Sequence, residues 1–402
     1  MKFIHISDCH IGGWRESKLS ELSLRGFREV IKTAISERVG FVLIAGDLFD
    51  TALPNIDLIK EVAFSLHELK EEDIPVYLIP GSHDFSPSGK TMLDVLERAG
   101  LVENVMKFKD SQLQFTQDRT GVKLTGMLGK KGGLELADYK ELNKEALEKE
   151  PGFKIFLFHT LLRELKPKDY DMIEGGALGL LPKGFNYYAG GHPHFVYGKE
   201  HEGYGMIAYP GPLFPNNFGE LEKLKHGGFY MVDVRNGIIH LQHRPILFYD
   251  VENLSIDVTG LSVTEAEKKL LDLTNENFLN KIVTLRVFGE LATGKPYDID
   301  FNKIMERFSG CYAILKNSSK LSTKEFEDIK VETGDVAEVE ERIIQAHQDA
   351  LKGFDMDVPK IKELITTLSL EKMEGETNAD FESRLEKDVI SFLTLEGVWN
   401  AD

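Results

Sequence analysis

Cysteine is nearly absent: the 402 residues contain only Cys9 and Cys311. Two thiols so far apart cannot build a disulfide framework, and their scarcity fits a reducing cytoplasm. Long apolar runs are missing as well. None approaches the roughly 18 residues that a membrane span needs, and no secretory leader is recognisable. The opening Met1-Lys-Phe-Ile-His-Ile-Ser-Asp8 reads instead as a first strand at the N-terminus, so no membrane role is expected. Positive charge is in short supply, with 48 Lys and Arg against 66 Asp and Glu for a net −18. That balance excludes a broad basic surface for indiscriminate grip on phosphate backbones. The deficit is uneven, because residues 335–402 hold 17 acidic against 7 basic side chains and so account for −10 of it. Internal repeats and low-complexity tracts are also lacking.

What remains is ordinary globular material, 42% hydrophobic and 28% charged, with length for two or three domains. Residues 1–110 alternate apolar strand-like runs with helical periodicity. Strands are expected over 2–7, 41–45 and 76–79. Helices are expected over 21–37, from about Pro54 with Ile59, Val62, Ala63, Leu66 and Leu69 inward, and around Met92, Leu93, Val95, Leu96 and Ala99. Such spacing implies parallel strands with helices on both faces and sites at the carboxyl ends of the strands. From 105 to 245 strands dominate (122–126, 154–158, 186–189, 206–209, 228–233, 238–243), interrupted by one helix over 135–149. A second mixed sheet stacked on the first is the expected product. Residues 246–332 read as a compact α+β module, with strands at 248–251, 281–288 and 312–316 and helices at 264–273 and 300–308. Beyond Gly334 the chain is acidic and helical. Phe381, Leu385, Val389, Phe392 and Leu393 share one face behind a capping-type Thr377-Asn-Ala-Asp380. The expected organisation is therefore an α/β domain over 1–245 with two stacked mixed sheets flanked by helices, an α+β domain over 246–332, and a helical tail over 333–402.

The chemistry is concentrated where strands end. Phe41-Val-Leu-Ile-Ala45 runs into Gly46-Asp47-Leu-Phe-Asp50, and a charge leaving a buried strand is costly unless something pairs with it. Other exits carry Asp8 and His10, His83 and Asp84, His159, and the pair His192 and His194 of Gly190-Gly-His-Pro-His. Singly, each has a bland reading: Asp8-Cys-His10 as a turn, Gly46-Asp47 as a helix cap, His159 as a hydrogen-bonded core histidine. Together they place five of the 12 histidines just past apolar strands, in order with Asp8 and Asp47. Carboxylate and imidazole without thiolate select manganese, iron or zinc over soft-ligand metals. Two such ions need a bridging carboxylate, and Asp47 can supply it.

Asp8-x-His10, Gly46-Asp47, Gly81-x-His83-Asp84, the lone His159 and Gly191-His192-x-His194 resemble the ordered signature of the calcineurin-like metallophosphoesterases. Within them the chain is most similar to the SbcD DNA double-strand-break repair nucleases, known outside bacteria as the meiotic recombination eleven nucleases. Asp8-Cys-His-Ile-Gly12, Gly46-Asp-Leu-Phe-Asp50 and Ile79-Pro-Gly-Ser-His-Asp84 carry that likeness. Gly289-Glu-Leu-Ala-Thr-Gly-Lys295, Asp298-Ile-Asp-Phe301 and Asn317-Ser-Ser-Lys-Leu321 resemble the family's capping domain.

The resemblance implies a division of labour. Asp8, His10 and His194 would hold one ion and His159 and His192 the other, with Asp47 between them. His83 would be the acid that stabilises the phosphorane or protonates the leaving oxygen, with Asp84 orienting it. Asp50 is either a support or a turn residue. Ser82 stands where the family usually has asparagine, whose carbonyl completes the second ion's ligands; a serine hydroxyl is shorter and weaker, so weaker occupancy is expected. Two Mn²⁺ are implied, with Mg²⁺, Fe²⁺ and Zn²⁺ as alternatives. The implied activity is DNA exonuclease and endonuclease cleavage. The implied partners are DNA, an SbcC-type coiled-coil ATPase on the C-terminal helices, and a second copy through the first domain's helices. Trp14, Arg15, Lys18, Lys130, Lys131, Arg163, Lys166 and Lys168 are candidate phosphate contacts. Two other readings compete: a small-molecule or cyclic-nucleotide phosphodiesterase, and a scaffold protein with a weakened metal site.

Overall fold

The computed structural model describes residues 1–86, 91–170, 174–273, 277–323, 358–368 and 378–392. Two six-stranded sheets carry the fold. The first runs in the order Ile238–Ile246, Gly227–Arg235, Lys2–Ile6, Phe41–Ala45, Val76–Ile79, Glu103–Asn104, parallel from Lys2–Ile6 onward and antiparallel on the other side. The second runs Tyr197–His201, Gly205–Tyr209, Tyr187–Gly191, Lys154–His159, Lys123–Met127, Thr116–Gln117, with its four central strands parallel.

The apolar runs explain the stacking. Phe41–Ala45 is buried at every residue, so both of its faces need cover. On one face Ile4, Val42, Ile44 and Leu78 meet Phe27, Val30, Val62 and Leu66 from the helices Ser17–Ser36 and Ile56–Glu71. On the other, Phe3, Phe41, Leu43 and Tyr77 pack against Leu124, Ile155, Leu157 and Tyr187 of the second sheet. Phe3 and Phe41 stack there with centroids 4.9 Å apart. Each fully buried side chain of this size contributes roughly 1.5–3 kcal/mol. The second sheet's outer face, with Phe156, Phe158 and Tyr209, is closed by Tyr139, Leu161, Leu165 and Phe195.

Several details differ from expectation, each for a local reason. The second helix begins at Ile56, because Asn55 caps it by accepting from Asp57 N at 2.9 Å, and Pro54 stays outside. The helix expected over 135–149 is broken by extended backbone at Leu142 and Asn143 into Glu135–Glu141 and Lys144–Lys149. Val95 is exposed. Tyr197–His201, an edge strand of mostly polar residues, has no apolar alternation to betray it.

Val251–Asp257, Ile282–Leu291 and Ala313–Thr323 form a separate parallel sheet, which packs with the helices Val263–Leu273 and Phe301–Glu306 around Leu270, Val283, Leu285, Val287 and Ile304. Its first strand starts at Val251, three residues later than expected for its beginning, because Phe248 and Tyr249 take the Arg25 guanidinium at 4.6 and 5.8 Å. A joint apolar cluster (Leu19, Leu22, Phe214 and Leu221 against Val251, Ile282 and Ala313) seats this module on the rest. In the tail, Val358–Leu368 and Asn378–Phe392 pack against each other. The expected Thr377 cap and Leu393 lie outside the described residues. Both cysteines are free, and Cys9 lies in the core. No helix among the described residues is long and apolar enough to cross a membrane.

Candidate metal centre

The parallel strands deliver their carboxyl ends to one place, and the loops beyond them stay in register. Asp8 N donates to Gly46 O, His10 N to Asp47 O and Ile11 N to Leu48 O, each at 3.1 Å. Asp8, His10, Asp47 and His192 all adopt positive φ (50°, 42°, 53° and 93°). Left-handed backbone in non-glycine residues costs free energy and persists where surroundings enforce it, often at functional sites. The loops can approach closely because small residues line them. A methyl group on Gly81 would collide with the Asp47 carboxylate, and one on Gly129 with the His159 ring.

Three overlapping groups result among the described residues, one of them His10, Asp50 and His83, and the other two meeting at Asp8. The ligand atoms of Asp8, His10 and His194 lie within 4.8 Å of one another, as do those of Asp8, Asp47 and His159. Asp47 Oδ2 sits between the two groups, 3.7 Å from His10 Nε2 and 3.2 Å from His159 Nε2. The imidazoles are aimed by their outer nitrogens. Nδ1 of His159 donates to Ala45 O at 2.8 Å, and Nδ1 of His10 and His194 face Asp50 Oδ1 at 3.1 Å and Glu220 Oε1 at 2.9 Å. Each arrangement turns Nε2 inward, the tautomer a metal ligand requires. His10 Nε2 and His194 Nε2 consequently face each other at 3.1 Å.

His192 joins none of these groups at that spacing. Its N–H donates to both Asp8 oxygens (3.0 and 3.2 Å), and its ring lies beside His159 with centroids 5.3 Å apart, on the cleft wall. Ser82 Oγ donates to Asp47 Oδ2 at 3.3 Å and also lines the cleft. His83 N donates to Asp47 Oδ1 at 2.7 Å, while its Nδ1 donates to Asp50 O at 2.7 Å, leaving Nε2 free on a half-exposed ring. One expectation is corrected here. Asp84 does not orient His83: its buried carboxylate accepts the N–H groups of Leu48, Phe49 and Gly81 at 3.1–3.2 Å and so ties two ligand loops together. Orientation of His83 falls to Asp50, which also holds His10 and is thus a support rather than a bare turn residue.

Electrostatics fit a cation site. Burial alone would raise the Asp47 carboxyl, but His159, then His10 and the His83 N–H, hold it far below the usual carboxylate range. Burial works against His159 too, yet the Asp47 charge and contact, with Asp8, push it up to about 10. Burial opposes protonation of His194 as well, and Glu220, Asp8 and Asp47 still raise it to about 9. His192 is driven down to about 4 by burial and by the charge on His159. Burial, then the Asp47 charge, lift Asp84 to about 6. His159 Nε2 is fully buried with no hydrogen-bond partner, although Asp47 is its neighbour. An inward imidazole nitrogen with no room for water, beside the carboxylates of Asp47 and Asp8, is a position that a divalent ion can take once the proton leaves. The donor set therefore fits metal.

Two participants had not been singled out in the sequence: Glu220, on the short helix Phe218–Leu224, and Asn216, whose Nδ2 donates to Asp50 Oδ1 at 3.2 Å. Asn217-Phe-Gly-Glu220 has the pattern of a helix start, and that bland reading hides the carboxylate's second use. Several expected phosphate contacts are spent internally. Trp14 Nε1 donates to Pro215 O (2.7 Å), Lys18 Nζ to Tyr312 O (3.0 Å), and Lys130 pairs with Asp138 (2.6 Å). Arg15, Lys131, Arg163 and Lys168 are exposed.

A family model for calcineurin-like phosphoesterases matches residues 1–196. Among curated proteins, the DNA double-strand break repair protein Mre11 of Archaeoglobus fulgidus is 24% identical over 409 aligned positions, covering 97% of this chain and 90% of its own. The protein of the same name from Methanococcus maripaludis is 27% identical, covering 89% and 92%. Among solved structures, a dimetal phosphatase from Danio rerio is 11% identical, with a TM-score of 0.40 over 61% of this chain and 96% of that one.

Proposed function

The chain belongs to the calcineurin-like phosphoesterase family through its first 196 residues, and from that premise we propose that it is a manganese-dependent DNA phosphodiesterase of double-strand-break repair, cutting both ends and internal positions. The observation carrying this reading is the convergence of inward Nε2 atoms on two aspartates at the sheet ends. The names of the archaeal relatives, aligned over nearly the whole chain, supply the DNA repair context.

Asp8, His10 and His194 would hold one ion and His159 and His192 the other, with Asp47 serving both and Ser82 as a weak additional donor to the second. Bound divalent ions supply Lewis acidity and a water acidic enough to attack at neutral pH. The chain's own residues do the rest. Asp50 and Asn216 fix His10. Asp84 locks the Leu48–Phe49 loop to Gly81, so that Asp47 and Ser82 share one position. His83, anchored through Nδ1, presents Nε2 to the cleft of about 360 Å³ and can deliver a proton to the leaving oxygen. The proton acceptor and donor roles need no side-chain nucleophile, and buried Cys9 is not one.

The test is manganese-dependent hydrolysis of DNA ends beside bis-nitrophenyl phosphate, with His83→Ala as control. Removing a general acid is expected to lower kcat on both substrates by about 10²-fold or more with metal uptake unchanged. Cleavage of the small ester alone would favour the small-molecule phosphodiesterase reading, to which the internal engagement of Trp14, Lys18 and Lys130 lends weight. Activity on neither would leave a scaffold. Ser82→Asn is expected to tighten the second ion in a manganese titration, because an amide oxygen reaches further and donates better than a hydroxyl; an unchanged isotherm would contradict the ligand role of position 82.

The surfaces support the partner reading. Leu53, Ile56, Phe64 and Val95 are exposed apolar side chains on and beside the second and third helices, a suitable face for a second copy. The C-terminal helices would dock an SbcC-type coiled-coil ATPase. The domain limits at 245 and 332 and a cytoplasmic location, with two free cysteines in its favour, belong to the same proposal.

A further inference from the structure

The helix Phe218–Leu224 has one edge in the metal centre and the other in the three-stranded module. On the first edge, Glu220 Oε1 holds His194 Nδ1 at 2.9 Å, while Oε2 accepts Asn216 N at 2.8 Å. Asn216 in turn holds Asp50, the residue that fixes both His10 and His83. On the second edge, Glu222 takes a two-pronged grip from Arg286, Nε at 3.0 Å and Nη2 at 2.6 Å. The same guanidinium lies 5.1 Å from the Phe218 ring, and Asn253 Nδ2 donates to Glu222 O at 2.8 Å. Leu221 is buried between the two bodies with Val251, Ile282 and Ala313. A helix of seven residues is too short to bend, so a displacement at Glu222 carries Glu220 with it.

We propose that this helix is a coupling element: Glu220 is a positioning residue for His194, and the Arg286–Glu222 fork sets the position of Glu220 from the three-stranded module. Whatever shifts that module, substrate or protein, then alters the ligand geometry at His194. The inference rests on the metal-site reading above, and adds to it a control point in a body that supplies no ligand.

The experiment is manganese binding to the full chain, followed by electron paramagnetic resonance of free Mn²⁺, for wild type, Glu220→Gln, Arg286→Ala and the double variant. Cobalt spectra report ligand geometry in parallel. Glu220→Gln is isosteric and is expected to weaken one of the two ions about tenfold or more, within the range for lost outer partners of metal-bound histidine. Arg286→Ala should weaken the same ion roughly threefold or more, and Arg286→Lys, which keeps the charge but loses the fork, should not restore it. The double variant should bind no worse than Glu220→Gln alone, because both changes act through one contact. Wild-type affinity and cobalt spectrum in Glu220→Gln would overturn the positioning role. Unchanged binding in Arg286→Ala, or additive losses in the double variant, would overturn the coupling. A wild-type chain that takes up no metal would instead overturn the metal-site reading itself.

Discussion

Asp47→Asn is expected to abolish stable binding of both ions and to lower phosphodiester hydrolysis by ~10³-fold or more, since each ion contributes several kcal/mol to the reaction and a tenfold rate change is about 1.4 kcal/mol. Among the described residues no other side chain touches so many parts of the centre. Its Oδ2 lies 3.2 Å from His159 Nε2, 3.7 Å from His10 Nε2 and 3.3 Å from Ser82 Oγ, while Oδ1 takes the His83 N–H at 2.7 Å. The amide is nearly isosteric, so the His83 N–H can keep its acceptor and the loop its shape. What disappears is the charge. Without it the pull that keeps His159 protonated is lost, and burial then favours the neutral ring. The variant should therefore fold, and thermal melting beside a manganese titration separates lost ligation from lost structure. Two ions bound with near wild-type affinity would show that Asp47 does not join them.

The same residue illustrates how much was legible in the sequence. Asp47 announces itself because a five-residue apolar run cannot end in a carboxylate without a partner, and the other strand ends advertise theirs in the same way. That logic points to every strand-end residue marked by an abrupt change of polarity: Asp8, His10, His83, His159, His192 and His194. It fails for residues whose local pattern has a sufficient local explanation. Glu220 reads as a helix-start residue, Asn216 as loop, and Asp84 as the neighbour of a histidine. Their roles are set by contacts over 26 to 166 positions of sequence, from Glu220 to His194, Asn216 to Asp50, and Asp84 to Leu48 and Phe49, which no periodicity encodes. The sheets were legible where strands are buried on both faces, as at Phe41–Ala45 and Lys154–His159, and illegible at the polar edge Tyr197–His201. The break at Leu142 and Asn143 within an apparently continuous helical pattern was likewise hidden, because backbone continuity there is decided by packing.

Metal uptake is expected to release two protons per chain at pH 7, one each from His159 and His194. In the metal-free chain these rings hold their protons up to about 10 and about 9, because Asp47, Glu220 and Asp8 outweigh burial. A metal can take Nε2 only after the proton leaves. The affinity of each ion must then fall about tenfold per unit, below about 9 for the ion on His194 and below about 10 for the ion on His159, and flatten above those values. Calorimetric titrations with manganese in buffers of different ionisation enthalpy measure the proton count directly; a count near zero at pH 7 would mean that the imidazoles are neutral beforehand or take no part. The metal-free chain should show the opposite trend in stability. Both histidines have folded values above the ordinary 6.5, so their ion pairs contribute fully below about pH 6 and are lost as pH climbs through 9 to 10. Thermal melting after chelation should decline over that alkaline interval, while the manganese-loaded chain gains from the tighter binding of its ions. The two curves diverge with rising pH because cation and proton compete for the same inward nitrogens.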